Sequence, residues 1–146
     1  MKPFKFSLQS LYDVKQSVEE QQKLQLKVIE NRIAQIEREI AQLNENRVKH
    51  YELYEEDLNQ GMAAHKLAGY GRFFDLLNVT EALLKERLAG VRKERQQCME
   101  VLIEMRKEIK ALQKLSEIEL AAYKELVSKE EDNIIGDMIT YKVATK

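Results

Sequence analysis

Residues 61–71 read GMAAHKLAGYG and hold three of the five glycines of this 146-residue chain: Gly61, Gly69 and Gly71. A glycine inside a helix costs roughly 1 kcal/mol against alanine, so this cluster is where the chain turns most easily. Two stretches of nearly equal length flank it, both rich in the strong helix formers Glu, Lys, Gln, Leu, Arg and Ala. If the cluster is a turn, the stretches fold back on each other as an antiparallel hairpin. If it is only an interruption, the alternative is a longer parallel dimer.

The first stretch carries Leu26, Ile29, Ile33, Ile36, Ile40 and Leu43 at alternating three- and four-residue steps. These are two interleaved seven-residue series, Ile29-Ile36-Leu43 and Leu26-Ile33-Ile40, the signature of a coiled-coil seam. Towards Tyr54 and Leu58 the seam is diluted by Arg47 and His50. Upstream, Leu11, Val14, Val18, Gln22 and Leu26 step mostly by four, a stutter that unwinds a supercoil locally. The second stretch keeps a seven-residue series through Leu77, Leu84, Val91, Cys98, Met105 and Leu112. Leu88, Leu102 and Ile109 supply its other seam position, with Glu81 and Arg95 as exceptions.

A helix with so narrow an apolar stripe cannot bury it alone. The glycine cluster lets each helix bury its stripe on the other, and the expected fold is all-α: a long antiparallel two-helix coiled-coil hairpin. The expected bounds, within one coiled-coil domain over residues 1–146, are helix 1 at about 5–60, a turn at about 61–71, helix 2 at about 72–132 and a C-terminal tail at about 133–146. Helices of roughly 55 residues, at about 1.5 Å each, would extend about 80 Å and bring both termini to one end. With a turn over 61–71, Ile33 and Ile40 face the segment from Val91 to Leu102, and position 36 neighbours position 98. Arg92, Lys93 and Arg95 would lie across from Glu37 and Glu39, with Glu45 further along. The acidic cluster Glu55, Glu56, Asp57 would sit solvated near the turn.

Composition narrows function by exclusion. The chain is 34% charged with a formal net charge of -1, whereas a general nucleic-acid binder needs a basic excess. Cys98 is the single cysteine, so no CxxC motif or disulfide framework exists. His50 and His65 have no HExxH context, and GYGR at 69–72 lacks the GK[ST] of a phosphate-binding loop. Glu55-Glu56-Asp57 and Glu130-Glu131-Asp132 lie on helix surfaces, where no pocket raises a carboxylate for acid–base work. No enzyme, cofactor, metal or small-molecule substrate is expected. The opening residues lack the basic-then-apolar run of a signal peptide and no segment approaches eighteen uninterrupted apolar residues, so a cytoplasmic protein is expected.

Surplus apolar residues stand at the two tips. Phe73 and Phe74 are adjacent and cannot both face a narrow seam; Tyr51, Tyr54 and Tyr70 are near them. At the other end, FKFSLQSLYDVKQ (4–16) begins with strand-like alternation at Phe4, Phe6 and Leu8 and passes into helical spacing at Leu11 and Val14. Folded back, it would meet Ile134, Ile135, Met138, Ile139 and Tyr141. Such tips either plug the ends of the coil or dock other proteins.

Three short elements carry a family resemblance: FKFSLQSLYDVKQ, the mid-chain GMAAHKLAGYGRFFDLL and the closing EDNI. They resemble the FliJ family of flagellar type III export proteins. Its members open with an aromatic-basic-aromatic-x-Leu-Gln pattern and carry a Tyr-x-x-Phe-x-x-x-Leu element, here Tyr70, Phe73 and Leu77. They close on an acidic group ending in Ile, here Asp132, Asn133 and Ile134; Asn133 and Gly136 depart from the pattern. The resemblance implies a coiled coil similar to the central stalk of rotary ATPases, without catalysis of its own and peripherally associated with the inner-membrane export apparatus. It implies three partners: the hexameric export ATPase, the cytoplasmic domain of the export gate, and export chaperones. The expected gate contacts are Tyr51, Tyr54, Tyr70, Phe73 and Leu77. The expected contacts to the ATPase ring are Phe4, Phe6, Leu8 and Leu11 with Asp132, Ile134 and Ile135. The competing readings are a stalk of a virulence secretion or rotary ATPase system, and a plain self-associating coiled coil.

Overall fold

The computed structural model describes residues 2–145, and among them there are two long helices and no strand. Helix α1 spans Gln9–Gln60 and helix α2 spans Ala64–Ala144. They pack antiparallel against each other, as the paired heptad series require. The reversal takes only Gly61, Met62 and Ala63. Gly61 has φ 88°, the left-handed conformation that ends a helix and that a side chain disfavours, and its amide donates to the Leu58 carbonyl at 3.2 Å. Beyond it the chain re-enters a helix at once, with the Lys66 and Leu67 amides both donating to the Ala63 carbonyl at 3.1 Å.

The observed bounds depart from the expected ones in three places. The turn is much shorter than 61–71, because Gly69 and Gly71 lie inside α2. The cost of two helical glycines, roughly 1 kcal/mol each, is offset by the aromatic side chains between and after them, which pack on α1. α1 begins at Gln9 rather than near residue 5, and the strand-like alternation before it belongs to an irregular segment. The expected tail is helical to Ala144, so the single Gly136 does not stop α2.

Contacts divide the chain into two compact units, one from Gln22 to Val101 and one combining residues up to Gln21 with those from Leu102 onward. In the first unit Ile29, Ile36, Leu88, Val91 and Cys98 form the buried cluster, flanked by partly buried Leu26, Ile33, Ile40 and Leu84. The two seven-residue series of α1 are therefore unequal: Ile29-Ile36-Leu43 is the deeper one. Each fully buried aliphatic side chain stabilises by roughly 1.5–3 kcal/mol.

The register of this unit is fixed by pairs that cross the seam. Arg92 Nη2 lies 3.2 Å from Glu37 Oε1, Arg95 Nε 3.4 Å from Glu30 Oε1, and Arg32 Nη1 2.9 Å from Glu94 Oε2. Glu37 thus meets Arg92 as expected, whereas Glu39 accepts from Gln35 and Glu45 pairs with Lys49 on its own helix. Cys98 Sγ faces Gln22, 3.7 Å from its carbonyl oxygen, and not Ile36. The reason is the shorter turn. Moving the fold-back point by about half a heptad moves every facing partner by about one heptad, and a heptad pattern looks the same after that shift.

In the second unit Leu102, Ile109 and Leu112 of α2 are buried, together with Phe6 from the irregular N-terminal segment. Lys15 Nζ pairs with Glu108 Oε2 at 2.6 Å, and Tyr12 Oη accepts from Gln113 Nε2 at 3.1 Å.

Candidate functional site

In the unit that contains the turn, an aromatic cluster straddles the seam. His50 stacks on Phe73 with ring centroids 4.0 Å apart, and Tyr51 stacks on Phe74 at 4.2 Å. Tyr54 meets Tyr70 edge-on at 5.3 Å and Phe74 at 6.2 Å. Adjacent residues on a helix project about 100° apart, so Phe73 and Phe74 reach different rings on α1 while meeting each other edge-on at 6.0 Å. Four of the five expected gate contacts, Tyr51, Tyr54, Tyr70 and Phe73, thus belong to one aromatic cluster joined through Phe74. Tyr51, Tyr54 and Tyr70 gather around Phe74, Phe73 also stacks on His50, and Leu77 is buried in the seam.

Polar bonds hold this cluster in place. Tyr70 Oη donates to Asp57 Oδ2 at 2.5 Å, and Lys66 Nζ stands 3.5 Å from the same oxygen. The Tyr70 hydrogen bond, helped by Lys66, holds the Asp57 carboxyl below its ordinary range, and the same bond pushes the Tyr70 phenol up. Asp57 is thus half-buried and bonded, whereas Glu55 and Glu56 are exposed as expected. His50 Nδ1 donates to the Asn46 carbonyl at 2.9 Å, which orients its ring on Phe73. His50 and Phe74 were not among the expected contacts. Their signal was present in the sequence: both stand at seam-flanking positions opposite an aromatic residue, but only the correct register reveals which one.

In the unit that contains the termini, residues 2–7 form a strap along α2. Phe6 is its buried anchor, 7% exposed, and Phe4 packs on the Tyr123 ring at 5.6 Å. Tyr123 Oη donates to the Lys2 carbonyl at 2.6 Å. Ser7 donates twice to the Glu119 carboxylate, from its amide at 3.1 Å and from Oγ at 2.5 Å. These two bonds hold the Glu119 carboxyl below the usual glutamate range. They also explain the switch of period in FKFSLQSLYDVKQ. Phe4 and Phe6 alternate because the strap is extended with one side on α2; helical spacing starts once Leu8 accepts from the Tyr12 amide at 2.9 Å.

The remaining expected ring contacts lie apart from this strap. Leu8, just before α1, and Leu11, on its first turn, are exposed. Ile134 is about 16 Å beyond Tyr123 along α2, at about 1.5 Å per residue. From Ser128 onward every described residue of α2 is exposed, including Asp132, Ile134 and Ile135. The strap and the end of α2 do not meet, contrary to the expectation that Phe4 to Leu11 pack against Ile134 to Tyr141. The physical cause is length: α2 outlasts the strap, and among the described residues none reaches its last turns.

Among the described residues, no three His, Cys, Asp or Glu side chains gather in a way that could hold a metal ion. No described helix is long and apolar enough to cross a membrane. Such a fold, two helices joined by a tight turn with apolar groups displayed at its extremities, defines a coiled-coil interaction protein. The chain matches the family described as FliJ, flagellar FliJ protein, over residues 4–135, and it belongs to that family. It is accordingly a non-enzymatic coiled-coil component of the flagellar protein export apparatus. Comparison with curated proteins and with solved structures finds no match.

Proposed function

We propose that this protein works as a central-stalk-like coil that engages the hexameric export ATPase through its terminal end and the export gate through the aromatic cluster beside its turn. Family membership supports these partners, together with export chaperones, and a cytoplasmic position at the inner-membrane export apparatus. The observation that carries the reading is the bare end of α2. Ile134, Ile135, Met138 and Ile139 are 53–58% exposed, on a helical stretch that no other described residue covers. A short helix alone in water is marginal, so this stretch gains stability once the walls of a ring supply the missing contacts.

At the turn end Tyr51 is exposed and Phe73 half-buried, so both remain accessible, while Leu77 is buried. The test replaces Ile134 and Ile135 by Ser, leaving the seam from Ile29 to Leu112 untouched. The variant should keep its helicity and gate binding but lose stimulation of the export ATPase. Phe73→Ala should do the reverse, weakening gate binding alone. Full stimulation by the first variant would overturn the stalk reading.

A further inference from the structure

The strap and α2 enclose a groove of about 740 Å³. Phe4, Ala122, Tyr123 and Leu126 make its apolar floor, Lys2 and Lys5 stand on its rim, and Glu119 lines its wall, so that two positive charges face one negative. Both lysines are exposed. The two carboxylates nearest in the helix are already engaged. Glu119 accepts both bonds from Ser7, and Glu125 pairs with Lys129 at 3.5 Å. The groove therefore couples an apolar floor to two exposed ammonium groups that are not ion-paired among the described residues.

We infer that this groove is a docking surface for an acidic, apolar segment of a partner protein: a large aliphatic or aromatic side chain seated between Phe4 and Leu126, flanked by carboxylates that pair with Lys2 and Lys5. Charge complementarity selects this occupant over a basic or neutral one, because a cationic segment would meet two like charges at the rim. The groove deepens the proposed function, since it gives the ATPase contact at the strap a defined chemistry. It also divides the labour among the strap residues. Phe4 contacts the partner, whereas Phe6 only anchors the strap.

The test uses the full chain and a fluorescent peptide that alternates glutamate with leucine and phenylalanine, beside its lysine counterpart. The acidic peptide should bind preferentially. Lys2→Gln with Lys5→Gln should weaken it roughly two- to tenfold, as expected for the loss of two exposed charge pairs. Raising salt from about 50 to 300 mM should have a similar effect on the parent and little on the variant. Circular dichroism checks that both proteins are equally helical. Equal binding of the two peptides, no binding of either, or an unaltered affinity in the variant overturns the groove. The same variant is then offered to the purified export ATPase. Weaker binding there supports the assignment to the ring. Unchanged ATPase binding, with the peptide preference intact, overturns that assignment while the acidic-segment site stands.

Discussion

Arg47 of α1 and Glu81 of α2 are ion-paired across the seam, at two positions where a charged residue interrupts the apolar series. Both side chains are largely withdrawn from solvent, 23% and 18% exposed. Lys85 bonds the same carboxylate from its own helix at 2.8 Å, and Asn78 also accepts from Arg47, at 3.1 Å. Each interruption looks like a defect when its helix is considered alone. Together they lock a register, because any slide of one helix would set a charge against an aliphatic side chain.

Reversing either charge should therefore lower the melting temperature, and exchanging both, Arg47→Glu with Glu81→Arg, should recover most of the loss. Lys85 and Arg47, in that order, hold the Glu81 carboxyl below its ordinary value of 4.5. The stabilisation is thus present above that value and lost as pH falls through the lower folded-state pKa. Thermal melts of Glu81→Gln and the parent should converge in acid. A constant gap across pH would mean that the carboxylate's charge contributes nothing.

The register predicts which cysteine pairs can form. Gln22→Cys should cross-link to the native Cys98 within one chain under mild oxidation, because these positions face each other. Ile36→Cys should not, since the neighbouring Glu37 pairs with Arg92, six residues before Cys98 on α2. Mass spectrometry of the oxidised monomers decides between them, and a 36–98 disulfide would restore the longer turn.

Glycine substitutions separate the true turn from the helical glycines. Gly61→Ala should destabilise by about 1 kcal/mol, because the left-handed conformation at this position penalises a side chain. Gly69→Ala and Gly71→Ala should each stabilise by up to about 1 kcal/mol, since an added Cβ meets nothing within 4 Å at either site. Denaturant midpoints measure all three. Destabilisation by the latter two would return them to the turn.

The strap should detach when its carboxylate anchor is lost. Glu119→Ala should speed amide exchange across residues 2–8 while leaving the seam of α2 protected. Because the Glu119 carboxyl is held low, the anchor persists above the ordinary glutamate range and fails as pH falls through its folded-state value. Exchange measured at neutral pH on Ser7→Ala should show a smaller effect in the same direction, since Ser7 keeps its amide bond. Unchanged exchange in both variants would leave Phe6 as the sole anchor.

The sequence by itself determined the helices and their seam, and the glycine cluster favoured antiparallel pairing over a parallel dimer. Ile29, Ile36, Leu43, Val91, Cys98 and Leu102 repeat at heptad spacing, and only burial against a partner helix satisfies such a stripe. It also marked both ends as surplus in apolar groups, because no two-helix seam has room for Phe73, Phe74 and the isoleucines after residue 133. What only the tertiary structure decided was the register and everything that depends on it. A pattern with a seven-residue period is blind to shifts by one period. The choice between a tight turn at Gly61 and one spanning 61–71 therefore rested on contacts distant in sequence: His50 with Phe73, Tyr51 with Phe74, Arg47 with Glu81. The strap was hidden for a similar reason. Phe6 is buried and Ile134 bare because of where α1 begins relative to the length of α2, and that relation exists only after the chain has folded back.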